Sequence, residues 1–499
     1  MTREKHCGSW PALALPATRR MKNYSGPICA IFKKSVFSRS QRRSSWTGSN
    51  RKRDKRMEAN TARLDGFSIN PYQTWLLVNR PQSYTASLRK RYGEVVALYV
   101  PMGKTFAIAL TPNSARQILS ADPTIYDAFW KEGFTGVAGS GSIWVLGKNE
   151  HRRERQLLSP AFHAQSFRGY GEVIREVTHQ KIKHWQPGQT LRALDTTLSI
   201  SLDIIMRLVF GAENGGFLDE GRRVLTALWH SMHPLFIFFP TLQKGWFPPW
   251  ARYVRAKNDF SKWVSRYLTE RRAQKDGADD ILGRMLAARY EDGLPMRDED
   301  IRDELITILL AGHETTATAL AWALYDLGTC PDKLEKLRME LASLGVNPEP
   351  ELTAKAPYLT AVCNETLRLH TLLPEIAREL VLPLELSGHM LQPGDSVGVS
   401  VMAIHHDPNL YPEPDQFIPE RFIGRNYSPF EFLPFGGGHR RCLGSGLSDY
   451  EMRIALAEIV THWEFEPAGI EREIRHDIAM GPKNGVLLRI IRKTNIAGN

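Results

Sequence analysis

The sequence predicts a mainly α chain with small β-sheets, and three observations carry that expectation. Residues 301–327 (IRDELITILLAGHETTATALAWALYDL) repeat apolar positions at helical spacing over a long run. A second amphipathic run, Gly446–Val460, lies near the C-terminus. Short β-like stretches appear at VVALYVPM (95–102), TFAIAL (105–110), ELVLPLEL (379–386) and GVLLRIIR (485–492), around a long and mostly helical middle. No internal repeat is visible, and hydropathy and charge content are those of a globular chain.

The first 56 residues are a different material. They carry 15 Lys and Arg against Glu4 and Asp54, so the tail holds a net charge of +13 and the rest of the chain −2. The tail is rich in Ser, Arg and Gly and has no apolar run near the ~18 residues that a bilayer span needs. The expected division is therefore 1–56 for a basic, disordered extension and 57–499 for one folded body. Three readings of the extension stay open: an organellar presequence, an arm that meets acidic partners or anionic surfaces, or translation that begins at Met21 or Met57. The run RKRDKR (51–56) reads as a solvated linker, and nothing else favours nucleic acid. The five cysteines (Cys7, Cys29, Cys330, Cys363, Cys442) imply no disulfide framework. Cys330 and Cys363 read as ordinary buried thiols, and a reducing, cytoplasmic setting fits.

The most informative segment is FGGGHRRCLG, Phe435 to Gly444. It places Cys442 in a glycine-rich loop, beside Arg440 and Arg441, just before the second amphipathic run. A helix N-terminus and nearby cations are expected to lower the pKa of that thiol. Glycines there let the backbone approach something flat and bulky. One thiolate without a second Cys or His at zinc spacing is a poor structural metal site and a good axial ligand for haem iron.

These residues resemble the cytochrome P450 family. Phe435, Gly438, Arg440, Cys442 and Gly444 fill every fixed position of its F-x-x-G-x-R-x-C-x-G haem-binding loop. The resemblance extends over essentially all of 57–499. It implies the cytochrome P450 fold, with haem (heme b, iron protoporphyrin IX) between a long central helix and the Cys-bearing loop, and Cys442 as the metal ligand. Ala311-Gly312-His313-Glu314-Thr315-Thr316 interrupts a strong helix with residues of low helix propensity. That points to a break in the ladder or a ligand close by, or to a tolerated Gly in a core helix. The segment is similar to the family's oxygen-activation motif, so Glu314 and Thr315 would manage proton delivery, with Ala311 and Gly312 flanking the haem. Glu365 and Arg368, three apart on one helix face in apolar surroundings, match the family's E-x-x-R pair. Arg421, in PERF, would be the third member of that structural network.

By the same resemblance, the haem propionates would meet His151 and Arg155, which share a helix face, and Arg378, with His439 a weaker candidate. His151 departs from the commoner Trp at that position. The resemblance implies a monooxygenase that inserts one oxygen atom from O2 into a small hydrophobic substrate, a fatty acid, terpene or similar compound. The 57 residues after Cys442 leave no room for a reductase domain. Electrons are therefore expected from a ferredoxin or flavodoxin with its reductase, and a basic face that includes Arg152, Arg153 and Arg441 reads either as its docking surface or as plain solvated charge. A monomer without a transmembrane anchor is expected. Substrate would be lined by residues 125–144, by Leu310, Ala311 and Thr315, and by residues 373–377. The apolar segment 228–250 reads equally as packed core or as a greasy entrance, and Glu375 as solvent-facing or as an orienting group. GVAGSGSIWVLG (136–147) lacks the register of a nucleotide-binding motif. A peroxide-using or isomerising haem-thiolate enzyme is disfavoured by the intact Glu314-Thr315 pair, and a non-catalytic haem sensor is the rival of another class.

Overall fold

The computed structural model describes residues 64–494, apart from 69, 100–104, 163–168, 212–214, 274–279 and 477. The extension 1–56, with Cys7, Cys29 and both alternative starts Met21 and Met57, lies outside the described residues. The chain opens with β1 (Gly66–Ser68), α1 (Pro71–Asn79), α2 (Pro81–Tyr92), β2 (Val95–Tyr99), β3 (Thr105–Ala109), α3 (Pro112–Leu119) and β4 (Tyr126–Asp127). Its middle holds α4 (Lys131–Ala138), α5 (Lys148–Leu158), α6 (Tyr170–Ile182), β5 (Thr190–Arg192), α7 (Ala193–Phe210), α8 (Gly216–Ser231), α9 (Leu235–Phe238), α10 (Pro248–Ala273) and α11 (Ile281–Ala287). Next come α12 (Asp298–Thr329), α13 (Pro331–Ser343), α14 (Pro350–Ala354) and α15 (Pro357–Leu369). They lead into β6 (Glu375–Leu380), β7 (Leu384–Leu386), β8 (His389–Leu391), β9 (Ser396–Ser400) and α16 (Val401–His405). After a long irregular stretch, α17 (Ser445–His462) is followed by β10 (Trp463–Pro467), β11 (Glu473–His476), β12 (Ala479–Pro482) and β13 (Leu487–Lys493).

Helix starts follow local chemistry. Seven of the described helices (α1, α2, α3, α10, α13, α14 and α15) begin with proline in the first turn, where its missing N–H costs nothing. The central helix α12 runs for 32 residues and opens on Asp298, Glu299 and Asp300, which suit the positive end of its dipole. It is apolar all round because it passes through the core, packed on α7 and α17. It stays α-helical through Gly312, which sets aside a break in the ladder and leaves a nearby ligand or a tolerated Gly.

The main sheet has the order β1-β2-β3-β9-β6-β4, with β6 antiparallel to β9 and Arg378 opposite Val397. The predicted stretch 379–386 is not one strand. Glu379 and Leu380 end β6, the chain turns at Pro383, which cannot donate to a ladder, and Leu384–Leu386 pairs with β8. The stretch 485–492 becomes β13, paired with both β10 and β5. Among the described residues no helix is long and apolar enough to cross a membrane.

Candidate active site

Four segments converge on Cys442. The loop before α17 is tied by Gly436 N–H to Leu433 O (2.9 Å), Arg441 N–H to Gly438 O (3.1 Å) and Cys442 N–H to Phe435 O (2.9 Å). Gly438 has φ +66°, and a Cβ there would lie 2.5 Å from Leu119 O. A Cβ on Gly437 would lie 2.8 Å from Leu119 Cδ1. The close approach expected of these glycines is therefore to the end of α3. Gly444 meets nothing within 4 Å; it contributes its amide, which donates to the Cys442 sulfur.

Cys442 is accessible to solvent, yet protein surrounds it closely enough for burial to push its thiol pKa up. The lowered thiol expected from the sequence is not found, because desolvation outweighs the Gly444 amide, Arg441 and Arg155 together. Arg440 does not contribute as expected. It reaches instead to the carbonyls of Ile143 (3.3 Å) and Leu146.

Arg440 belongs to a cluster of bases with His151, Arg155, Arg378 and His439. Burial pushes Arg378 down to about 10, and Arg440 pushes the same way. Burial likewise holds Arg440 at about 10, with Asp127 opposing and Arg155 adding to the shift. His151 is held at about 3 and His439 at about 4, by burial first and then by the surrounding bases. Both imidazoles are thus neutral. The His151 ring meets His439 edge-on (5.9 Å), and Tyr126 stacks on His439 (5.9 Å). Among the described residues no carboxylate forms an ion pair with Arg155, Arg378 or Arg440, and Arg440 Nε is buried without a partner. Buried charge of one sign without its counterpart is costly. An anion with two negative charges would fit this cluster.

Across from the loop lies the middle of α12. Between Glu304 and Leu324, the residues that are not buried are Ala311, Gly312, Glu314 and Thr315. Thr315 donates back to Ala311 O (2.8 Å), and Thr316 bonds Ser448 Oγ (2.9 Å), six residues past Cys442. Thr316, next to this opening, ties the central helix to the first turn of α17, just after the cysteine loop. A Cβ on Gly312 would sit at ordinary contact distance, 3.4 Å, from Ile205.

Glu365, Arg368 and Arg421 meet in one buried network. Arg368 grips Glu365 with two bonds (2.7 and 2.9 Å) and donates to His405 O (2.8 Å) and Gln416 O (3.3 Å). Arg421 Nε donates to Glu365 Oε1 (3.0 Å), as does Ile418 N–H (2.9 Å). His405 extends the network and has no sequence signature. Its Nε2 accepts Leu433 N–H (2.9 Å), and its Nδ1 faces Thr371 (3.2 Å), which donates to Arg368 O. The ring thereby links the Glu365–Arg368 pair to the Cys442 loop.

A family profile described as cytochrome P450 matches residues 67–489. The chain belongs to the cytochrome P450 family. It is 34% identical over 403 residues to cytochrome P450 138 of Mycobacterium tuberculosis, covering 79% of this chain and 88% of that one. It is 31% identical over 436 residues to cytochrome P450 135A1 of the same organism, covering 85% and 94%. Among solved structures, the retinoic acid-bound cyanobacterial CYP120A1 superposes with a TM-score of 0.74 at 23% identity, covering 86% of this chain and 99% of that one. This P450 is a haem monooxygenase in the general sense of its family, whose members bind haem through a cysteine thiolate.

Some expectations for this P450 need correction. Glu375 is half-buried, and Arg475 of β11 holds both its oxygens (2.9 and 2.7 Å). Arg153 pairs with Asp292 (2.5 Å) and lies over Tyr290 (4.0 Å), so it is not spare charge for docking. Cys363 is a free buried thiol, whereas Cys330 is disulfide-bonded and not the free thiol expected. The segment 228–250 divides between both readings. Phe236 and Ile237 are buried, whereas Phe238, Phe239 and Trp246 are exposed. Gln243 staples it to Gly133 O and Phe236 O (both 2.9 Å). The acidic run 297–304 does more than suit the dipole. Asp303 accepts Gly141 N–H (2.9 Å) and Glu304 accepts Ile143 N–H (2.6 Å), while Ser142 and Thr307 bond at 2.7 Å. These pin the loop whose carbonyls receive Arg440. An i, i+3/i+4 reading of Asp303, Glu304 and Thr307 as one helix face was the available signal.

Proposed function

We propose that this P450 inserts one oxygen atom from O2 into a small hydrophobic substrate, a fatty acid, terpene or similar compound, on haem b ligated by Cys442. The observation that carries the reading is the cluster of bases beside Cys442, in which, among the described residues, no carboxylate forms an ion pair with Arg155, Arg378 or Arg440. Two propionates would supply the charge that Arg378, Arg440 and Arg155 are short of, with His151 and His439 as neutral hydrogen-bonding groups. When bound, the haem supplies electron transfer and dioxygen activation, with thiolate donation favouring O–O cleavage. The Gly444 amide and Arg441 stabilise the Cys442 thiolate. Phe435, Gly438 and the Glu365–Arg368–Arg421 network hold the loop.

On the α12 side, Ala311 and Gly312 leave room for O2 and substrate, and Glu314 and Thr315 move the protons. The Thr315 hydroxyl rests on Ala311 O and must rotate away to donate. The loop 139–146 is pinned on α12, and Phe129, Trp130 and Phe238 form an aromatic row (centroids 4.2 and 4.5 Å) that would suit an apolar guest. Electrons come from a ferredoxin or flavodoxin with its reductase, met by the exposed Arg152 and Arg441. Folded body 57–499, a monomeric state and a cytoplasmic setting complete the reading.

Cys442→Ala is expected to abolish the thiolate-type ferrous CO spectrum and turnover; a normal spectrum in that variant would overturn the ligand assignment. Spin-state titration against fatty acids, sesquiterpenes and steroids tests the substrate class. A low-to-high-spin shift with one class supports the reading, and silence across all three, in protein with the thiolate spectrum, contradicts it.

A further inference from the structure

At the end of α17 remote from Cys442, three metal-ligating side chains meet on the surface. The helix is 18 residues long, so its far end lies ~27 Å from the haem-loop end. Glu458 and His462 are four apart on one face of α17, and His179 comes from the last turn of α6, which packs against it. His179 Nδ1 lies 2.8 Å from Glu458 Oε1, and His462 Nδ1 lies 3.3 Å from the same oxygen. The two imidazole rings are 5.1 Å apart and nearly perpendicular. One donor atom from each of the three residues falls within 4.8 Å of the others, and none of the three is fully exposed.

Two independent features favour a cation there. Both α6 and α17 end at this point, so the negative ends of two helix dipoles converge. The site is also held in shape by its surroundings. His462 Nδ1 contacts Glu458 O (2.8 Å), Thr494 N–H is bonded to His462 O (2.9 Å), and Arg338 occupies Val460 O and Trp463 O (3.1 and 2.9 Å). Lys181, the nearby cation on α6, is engaged by Asp203 (2.7 Å). A carboxylate oxygen between two imidazoles leaves a choice of fillings. Two protonated imidazoles side by side repel each other. Two neutral imidazoles with one carboxylate form the N2O donor set that Zn2+ and its neighbours take, with a further position left to water.

We propose that His179, Glu458 and His462 form a site for one divalent transition metal of the Zn2+ class, which clamps α6 to the helix that carries the Cys442 loop. The ion is structural or regulatory, since it sits far from the cysteine. Because metal competes with protons for both imidazoles, affinity falls on acidification.

The test is calorimetric titration of Zn2+ into tag-free, haem-loaded protein, with melting temperature read in parallel. One Zn2+ per chain is expected, with a saturable rise in melting temperature that Ca2+ does not reproduce. His179→Ala and His462→Ala should each weaken binding at least about tenfold and remove the rise. Glu458→Gln should weaken it in the same direction. All three variants should keep the ferrous CO spectrum and the metal-free melting temperature of the parent, which separates loss of the site from misfolding and from failure of the haem assignment. Absence of Zn2+ binding by the parent, or unchanged binding by His179→Ala and His462→Ala, overturns the proposal.

Discussion

Two buried arginine centres lie within this molecule, and they are built on opposite principles. Around Arg368, which is 0% exposed, each charge meets its counterpart: Glu365 takes two of its N–H groups, and carbonyls of His405 and Gln416 take others. Around Arg378 and Arg440, the bonds go to carbonyls alone, Ala377, Gly437, Ile143 and Leu146, with no carboxylate paired. The first centre is complete within the chain and serves architecture. The second is short of negative charge and serves a ligand. A buried cation is evidence for a binding site only when its counter-charge is missing.

The comparison breaks most readily at its architectural half. Arg368→Met leaves the buried Glu365 with Arg421 as its remaining cation, beside the Ile418 N–H, and removing one partner of such a pair costs about 3–5 kcal/mol. Chemical denaturation should show that loss, together with poor haem incorporation because the His405–Leu433 link is disturbed. Arg378→Met removes a cation that lacks a partner. Its expected signature is the reverse: haem-free stability unchanged or raised by on the order of 1 kcal/mol, with faster loss of haem to an acceptor protein. If both variants lose stability alike, the distinction between the two centres fails.

A buried acid on α17 gives a third, smaller contrast. Glu451 is enclosed by the core, with Ser201 beside it but in no formed hydrogen bond, and burial pushes it up to about 8. The folded state therefore holds a proton that the unfolded chain releases above its ordinary value of 4.5. Stability from this group is full below that value and is lost as pH rises to about 8. Glu451→Gln should flatten that part of the stability–pH curve and raise stability at pH 8 and above. The smallest effect expected is at Gly312. Its missing Cβ has room against Ile205, so Gly312→Ala should stabilise α12 by up to ~1 kcal/mol through helix propensity. Any loss of coupling between reductant use and product in that variant would then report on the space beside Thr315 and not on folding.

Much of the complete centre was legible in the sequence, because Glu365 and Arg368 are local on a helix and their neighbours are apolar. His405 was not, since its role comes from the meeting of α16 with the Cys442 loop and no spacing records it. The incomplete centre was legible residue by residue, at His151, Arg155 and Arg378, but its neutral histidines and depressed arginines arise only from shared burial. The same holds for Cys442. Its position could be read directly, whereas the direction of its pKa depends on desolvation, which helix and charge arguments from sequence omit. The ion pair of Glu375 was not legible, because its partner Arg475 lies one hundred residues away in β11. The strand break at Pro383 was available in the sequence, as proline cannot bond within a central ladder.

The most direct test of the incomplete centre is to load the protein with haem and with haem dimethyl ester, whose propionates carry no charge, and compare retention in the parent and in Arg378→Met. The cation cluster predicts that the parent retains haem much longer than the ester, and that the difference shrinks in the variant. Equal retention of both by the parent would contradict the assignment of these arginines to the propionates.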